Sequence, residues 1–206
     1  MKLSPIVALN NFPSLHFKTG SPISSNQILG FTEDDWQSVG LSGQQIYVNE
    51  SIIADLLTAQ GVAEASGYSL TVIDGHHPEA LYDRLSQRVC SSRMSQHARY
   101  LMKSRVHSTG LAVNILLWDK RKKAPVELFL EEDGERALFQ GFYQLSVEGR
   151  DSVRVFDRER HRREDEFRLQ QILVNAMRRG GFTTKPLRRV CHFVHRSVAD
   201  LPTPRL

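Results

Sequence analysis

The sequence predicts a single α+β domain. Segments with helical and with strand-like hydrophobic patterning are mixed without a regular strand-helix-strand rhythm, and 206 residues with 40% hydrophobic content bury one sizeable core without requiring a second. No internal repeat, low-complexity tract or long linker divides the chain. The expected domain therefore covers residues 1–206, with a loop-rich part at 1–46 and a patterned core at 47–195.

Residues up to about 48 read as loops with short strands. Residues 51–65 read as a helix: Ile52, Ile53, Leu56, Leu57 and Ala63 recur three or four apart, Asn49 or Ser51 is placed to cap, and Gly67 follows the end. Residues 68–73 alternate and are rich in β-formers, giving a strand that runs into the turn Asp74-Gly75-His76-His77-Pro78. A helix is expected at 79–88 and a buried strand at 111–118, ended by a basic turn at 119–123. Residues 167–179 carry Ile172, Leu173, Ala176 and Met177 at helical spacing, close on Gly180-Gly181 and lead to a last strand at 190–195.

Charge and cysteine usage narrow the function classes. Residues 1–100 hold 6 Lys/Arg against 9 Asp/Glu, and residues 101–206 hold 21 against 14, so the second half is basic. Acidic residues interleave its arginines, and no helix-turn-helix, finger or RNP pattern accompanies them, which argues against nucleic acid as the partner. Cys90 and Cys191 are too few for a disulfide framework and lack CxxC spacing, as expected of ordinary thiols in a reducing compartment. The opening apolar run is broken by Pro5, Asn10 and Asn11, too short and polar for a secretory leader, and no segment reaches the roughly 20 apolar residues of a membrane span. A cytoplasmic location without a signal peptide is the expectation, one that leaves room for a dedicated export machine.

A lone histidine near a strand is more often a satisfied core or surface residue than a ligand; here the order and company of four blocks give them weight. The first runs from Tyr47 through the helix and strand to Asp74-Gly75-His76-His77-Pro78. The second is His107-Ser108-Thr109-Gly110-Leu111-Ala112-Val113-Asn114, whose glycine and alanine suit a tight lead into a buried strand. The third is the helix from Leu173 ending in Gly181-Phe182, and the fourth is Arg189-Val190-Cys191-His192-Phe193. Together these resemble the VanX-type zinc D-alanyl-D-alanine dipeptidases and, more distantly, lysostaphin and the hedgehog proteins. The resemblance implies a small central antiparallel sheet flanked by helices, of the hedgehog and D-Ala-D-Ala peptidase type.

It also implies a zinc site of two histidines and a carboxylate, with an open fourth position for an activated water. His107 and His192 match the metal histidines. Asn114 stands at the third-ligand position, where a neutral amide oxygen weakens the hold on a dication. Arg189 stands at the general-base position, although a guanidinium only donates, and His77 replaces the arginine that steadies the oxyanion. The expectation that follows is a degenerate, catalytically inactive pseudoenzyme with a weak or absent zinc site and no other cofactor. His77, Asn114 and Arg189 would then bind a carboxylate-bearing small peptide, a bacterial peptidoglycan fragment or a protein partner.

Two alternatives stay open at this point. One is a divergent zinc-dependent D-Ala-D-Ala dipeptidase with a rebuilt metal site, in which His195, His76 or Cys191 joins His107 and His192; residues three apart on a strand face opposite sides, which disfavours His195. The other is a structural component of a larger assembly that uses the basic second half as its contact surface.

Overall fold

Residues 4–13, 15–17, 31–89, 106–126, 164–183 and 192–200 are described by a computed structural model. Its contacts divide the chain into two units, one formed by Met1–Ile53, Val72–Asn114 and Ser197–Leu206, the other by Ala54–Thr71 and Ile115–Arg196. The α+β class is as the patterning predicts, and wherever strand register is defined the pairing is antiparallel.

In the first unit, β1 (Ile6–Ala8) pairs with β3 (Tyr47–Asn49), Ile6 lying opposite Asn49 and Ala8 opposite Tyr47. Between them lie β2 (His16–Phe17) and α1 (Glu33–Gln37). The helix α1 was not expected, because five residues are too few to display a period. Its signal is the cap: Thr32 Oγ1 accepts from the Asp35 N–H and Asp35 Oδ2 accepts from the Thr32 N–H at 2.8 Å. Asn49 then caps a 3-10 turn, its Oδ1 accepting from the Ser51 N–H at 3.0 Å, and the chain continues into α2 (Ile53–Ala65). The expected helix at 51–65 is therefore a 3-10 turn joined to an α-helix.

Beyond α2, Gly67 takes φ +84 and closes the helix as a left-handed residue, the conformation its position predicts. The strand β4 (Tyr68–Asp74) follows, then α3 (Glu79–Val89), a 3-10 turn at Val106–Thr109 and β5 (Ala112–Asp119). Six of the seven β4 residues are buried, so the strand is covered on both faces, the alternating Ser69 and Thr71 included. The second unit adds β6 (Ala124–Pro125), α4 (Glu164–Arg179), β7 (Phe182–Thr183) and β8 (His192–His195). The described strands of the larger sheet run in the order β2-β4-β5-β8-β7, with β6 paired to β5.

Each unit has its own apolar filling. Val48, Ile52, Val72, Leu81, Leu111 and Val113 are buried in the first; Leu56, Leu70, Ile115, Leu173, Met177 and Phe193 in the second. In the second unit Gln60 Oε1 accepts from the buried Leu70 N–H at 2.7 Å, satisfying a backbone donor where α2 packs on β4. His195 donates from Nε2 to Asp55 Oδ2 at 2.7 Å, tying β8 to α2. Among the described residues, no helix is long and apolar enough to cross a membrane.

Candidate metal centre

Two segments of the first unit, the β4–α3 turn and the 3-10 turn before β5, carry the site. Their approach is set by two glycines. A side-chain carbon on Gly75 would run into the Tyr47 carbonyl oxygen, which accepts from the His76 N–H at 2.6 Å. Gly110 takes φ +70, and a Cβ there would lie 2.7 Å from the Asn49 nitrogen, whose N–H donates to the Gly110 carbonyl at 2.9 Å. Both turns are thus seated on β3 with no room for a larger residue.

The turns are then laced to each other. The His107 carbonyl accepts from the His77 N–H at 3.2 Å and from His76 Nδ1 at 3.2 Å, while the Gly75 carbonyl accepts from His107 Nδ1 at 2.6 Å. A carbonyl only accepts, so His76 and His107 both carry their ring hydrogen on Nδ1. A neutral His107 ring consequently keeps its lone pair on Nε2.

At the end of β4, Asp74 turns its carboxylate into this arrangement. Its Oδ2 accepts from Asn114 Nδ2 at 2.9 Å, and its Oδ1 meets His77 Nε2 at 2.8 Å. His77 Nδ1 lies 3.1 Å from the Tyr82 hydroxyl on α3. Around the His77 ring stand Phe31, Trp36 and Tyr82 edge-on, with centroids 5.5, 5.7 and 5.8 Å away, and His107 stacks on it at 5.2 Å. These rings displace water from the site and lower its local dielectric, which strengthens every polar interaction inside.

Asp74, His77 and His107 are 5%, 1% and 7% exposed, and one ligand atom from each lies within 4.8 Å of the other two. Tetrahedral zinc with nitrogen and oxygen bonds of about 2.0–2.1 Å spaces its ligands about 3.4 Å apart, so the three side chains fit a divalent ion after small adjustments. The ligand types fit as well: two imidazoles and one carboxylate suit zinc and its neighbours among the transition metals. Asn114, in holding Asp74 Oδ2, orients the carboxylate and leaves Oδ1 for another partner.

Burial pushes His76 down to about 4, helped by the neighbouring His77; its hydrogen bond to the His107 carbonyl acts in the opposite direction. His76 is therefore neutral at physiological pH.

In comparisons with known proteins, no family profile matches this chain, and no curated protein matches it.

The buried cluster of Asp74, His77 and His107 overturns the expectation of a broken, non-enzymatic site. The degenerate reading followed from Asn114 and Arg189 standing at ligand and base positions, but Asp74 supplies a buried carboxylate beside two histidines, and the set of three is intact. The dipeptidase and peptidoglycan roles likewise find no support in the comparisons. His77, expected at an oxyanion position, and His107, expected as a metal histidine, both lie in the cluster with Asp74. Asn114 is buried on β5 and bonded to Asp74. His192 is buried at the start of β8. Arg189, Cys90 and Cys191 lie outside the described residues. Sequence reasoning left Asp74 out of the candidate ligands; its signal was the Asp-x-x-His spacing in a turn that closes a buried strand.

Proposed function

We propose that this protein is a metal-dependent hydrolase with a rebuilt site, in which Asp74, His77 and His107 hold a divalent ion, zinc by preference, for cleavage of a small peptide-like amide. The carrying observation is the convergence of these three buried side chains within 4.8 Å. Buried polar clusters of this kind concentrate at functional sites, since an apolar core of the same volume costs less to fold. The peptide-like substrate class rests on the resemblance of the four sequence blocks to the VanX-type zinc peptidases, which the metal histidine His107 shares.

In this reading the chain's own residues do the positioning. Asp74 supplies the anionic ligand that offsets the ion's charge in a dry environment, and Asn114 keeps that carboxylate from rotating. His107 is fixed by its bond to the Gly75 carbonyl. The ring wall of Phe31, Trp36 and Tyr82 excludes bulk water. A bound divalent ion would supply Lewis-acid polarisation and lower the pKa of a coordinated water.

The test is metal content followed by activity. Protein purified without chelator or a nickel tag is expected to carry zinc near one equivalent or to take it up on titration, and both Asp74→Asn and His107→Ala are expected to lose it. Zinc-dependent cleavage of a panel of di- and tripeptides should disappear in the same variants. Folded wild-type protein that binds no zinc, cobalt or manganese above background would sink the reading.

A further inference from the structure

Asp74 Oδ1 and His77 Nε2 face each other at 2.8 Å. A carboxylate only accepts, so in the metal-free protein Nε2 carries a hydrogen, and in the neutral ring Nδ1 is then the acceptor. The Tyr82 hydroxyl, 3.1 Å from Nδ1, therefore donates to it. In that state His77 offers no lone pair at the atom that faces Asp74, and a metal held between Asp74 and His77 must take the place of the Nε2 hydrogen.

We infer that His77 changes tautomer when metal binds, with Tyr82 as the residue that makes the change possible. The hydrogen leaves Nε2, whose lone pair then serves the ion, and a hydrogen is gained at Nδ1. The exchange moves one hydrogen from Nε2 to Nδ1 and releases no net proton. The Tyr82 hydroxyl rotates about its C–O bond and becomes the acceptor of the new Nδ1–H. A hydroxyl both donates and accepts, so the one side chain satisfies His77 Nδ1 in either state. Phenylalanine at this position would satisfy neither.

The effect on affinity has a direction. With Nε2 given to an ion, ring electron density would be drawn away from Nδ1–H, making it a stronger donor to the Tyr82 oxygen, so this bond would support the metal-bound tautomer. Partners of this kind, bonded to the far nitrogen of a metal histidine, typically carry 10- to 100-fold of the affinity. Tyr82 is thus a positioning residue, buried on α3 and acting through His77.

This inference rests on the metal reading of the site, and its experiment separates the two. Long-range proton-nitrogen correlation spectra of the full chain, with the His77 ring signals identified by their loss in His77→Gln, report which ring nitrogen carries the hydrogen. The expected result is Nε2–H without metal and Nδ1–H with one equivalent of zinc. In parallel, Tyr82→Phe should bind zinc at least about tenfold more weakly than the parent, with unchanged circular dichroism. If the parent binds no zinc, the site reading falls and this inference with it. If zinc binds while His77 keeps its Nε2 hydrogen, only the tautomer change is overturned. If the tautomer changes but Tyr82→Phe binds zinc as tightly as the parent, the role given to Tyr82 is overturned.

Discussion

His76→Asn isolates the cost of keeping an uncharged imidazole beside the cluster. Asparagine retains a side-chain N–H near the position of Nδ1, so the bond to the His107 carbonyl can persist, but it does not titrate. In the native protein the ring titrates at about 4 against an ordinary value of 6.5. Above about pH 6.5 the ring is neutral in folded and unfolded chains alike and contributes nothing to the pH dependence. Between those two values the unfolded chain takes up a proton that the folded chain refuses, so stability falls as pH falls. The full window of 2.5 units corresponds to about 3 kcal/mol, and the part lost between about pH 7 and about pH 4.5 to about 2 kcal/mol. Urea unfolding at those two pH values, for parent and variant, measures it: the parent should lose about 2 kcal/mol more than His76→Asn on acidification. Other buried histidines are common to both proteins and cancel in the difference. Parallel losses, equal within about 0.5 kcal/mol, would show that His76 is not the desolvated group and that the packing of the β4–α3 turn has been misjudged.

Three further outcomes follow from individual contacts. Gly75→Ala pushes a methyl group into the Tyr47 carbonyl and should cost more than about 2 kcal/mol by urea unfolding while weakening zinc uptake, whereas an unchanged midpoint would remove the steric argument for this turn. Asn114→Asp replaces the donor to Asp74 Oδ2, 2.9 Å away, with a second carboxylate. The metal-free variant should lose about 2 kcal/mol or more, and zinc should restore a larger share of melting temperature than in the parent, with an undiminished metal-free melting temperature as the opposing result. Lys120→Ala removes an exposed ion pair to Glu64 at 2.8 Å, for which a stability change below about 0.5 kcal/mol is expected and a larger one would mean that the pair is less solvated than its exposure indicates.

Much of the secondary structure was legible because its causes are local. The period of residues 52–63, the cap at Asn49 and the left-handed Gly67 all lie within residues 49–67, and the helix α2 follows from them. The same holds for β4, for α4 and for the turn that carries His76 and His77. The short helix α1 escaped because its only signal, the Thr32–Asp35 capping box, needs side-chain geometry to distinguish it from an ordinary polar loop.

The site was legible only in its parts. His77 and His107 stand out as residues in turns beside buried strands, but their roles were assigned by position in a resembled pattern, and that assignment placed Asn114 among the ligands and left Asp74 out. Which carboxylate serves a histidine is decided by distance in space, and a sequence separation of 40 between Asp74 and Asn114 hides a 2.9 Å hydrogen bond. Sequence by itself determined the α+β class, the principal element boundaries and the two histidine-bearing turns, since backbone preference and hydrophobic period act over short stretches of chain. Tertiary structure alone decided that these turns meet, because their meeting depends on Gly75 against Tyr47 and Gly110 against Asn49, close approaches between distant segments that no local pattern encodes.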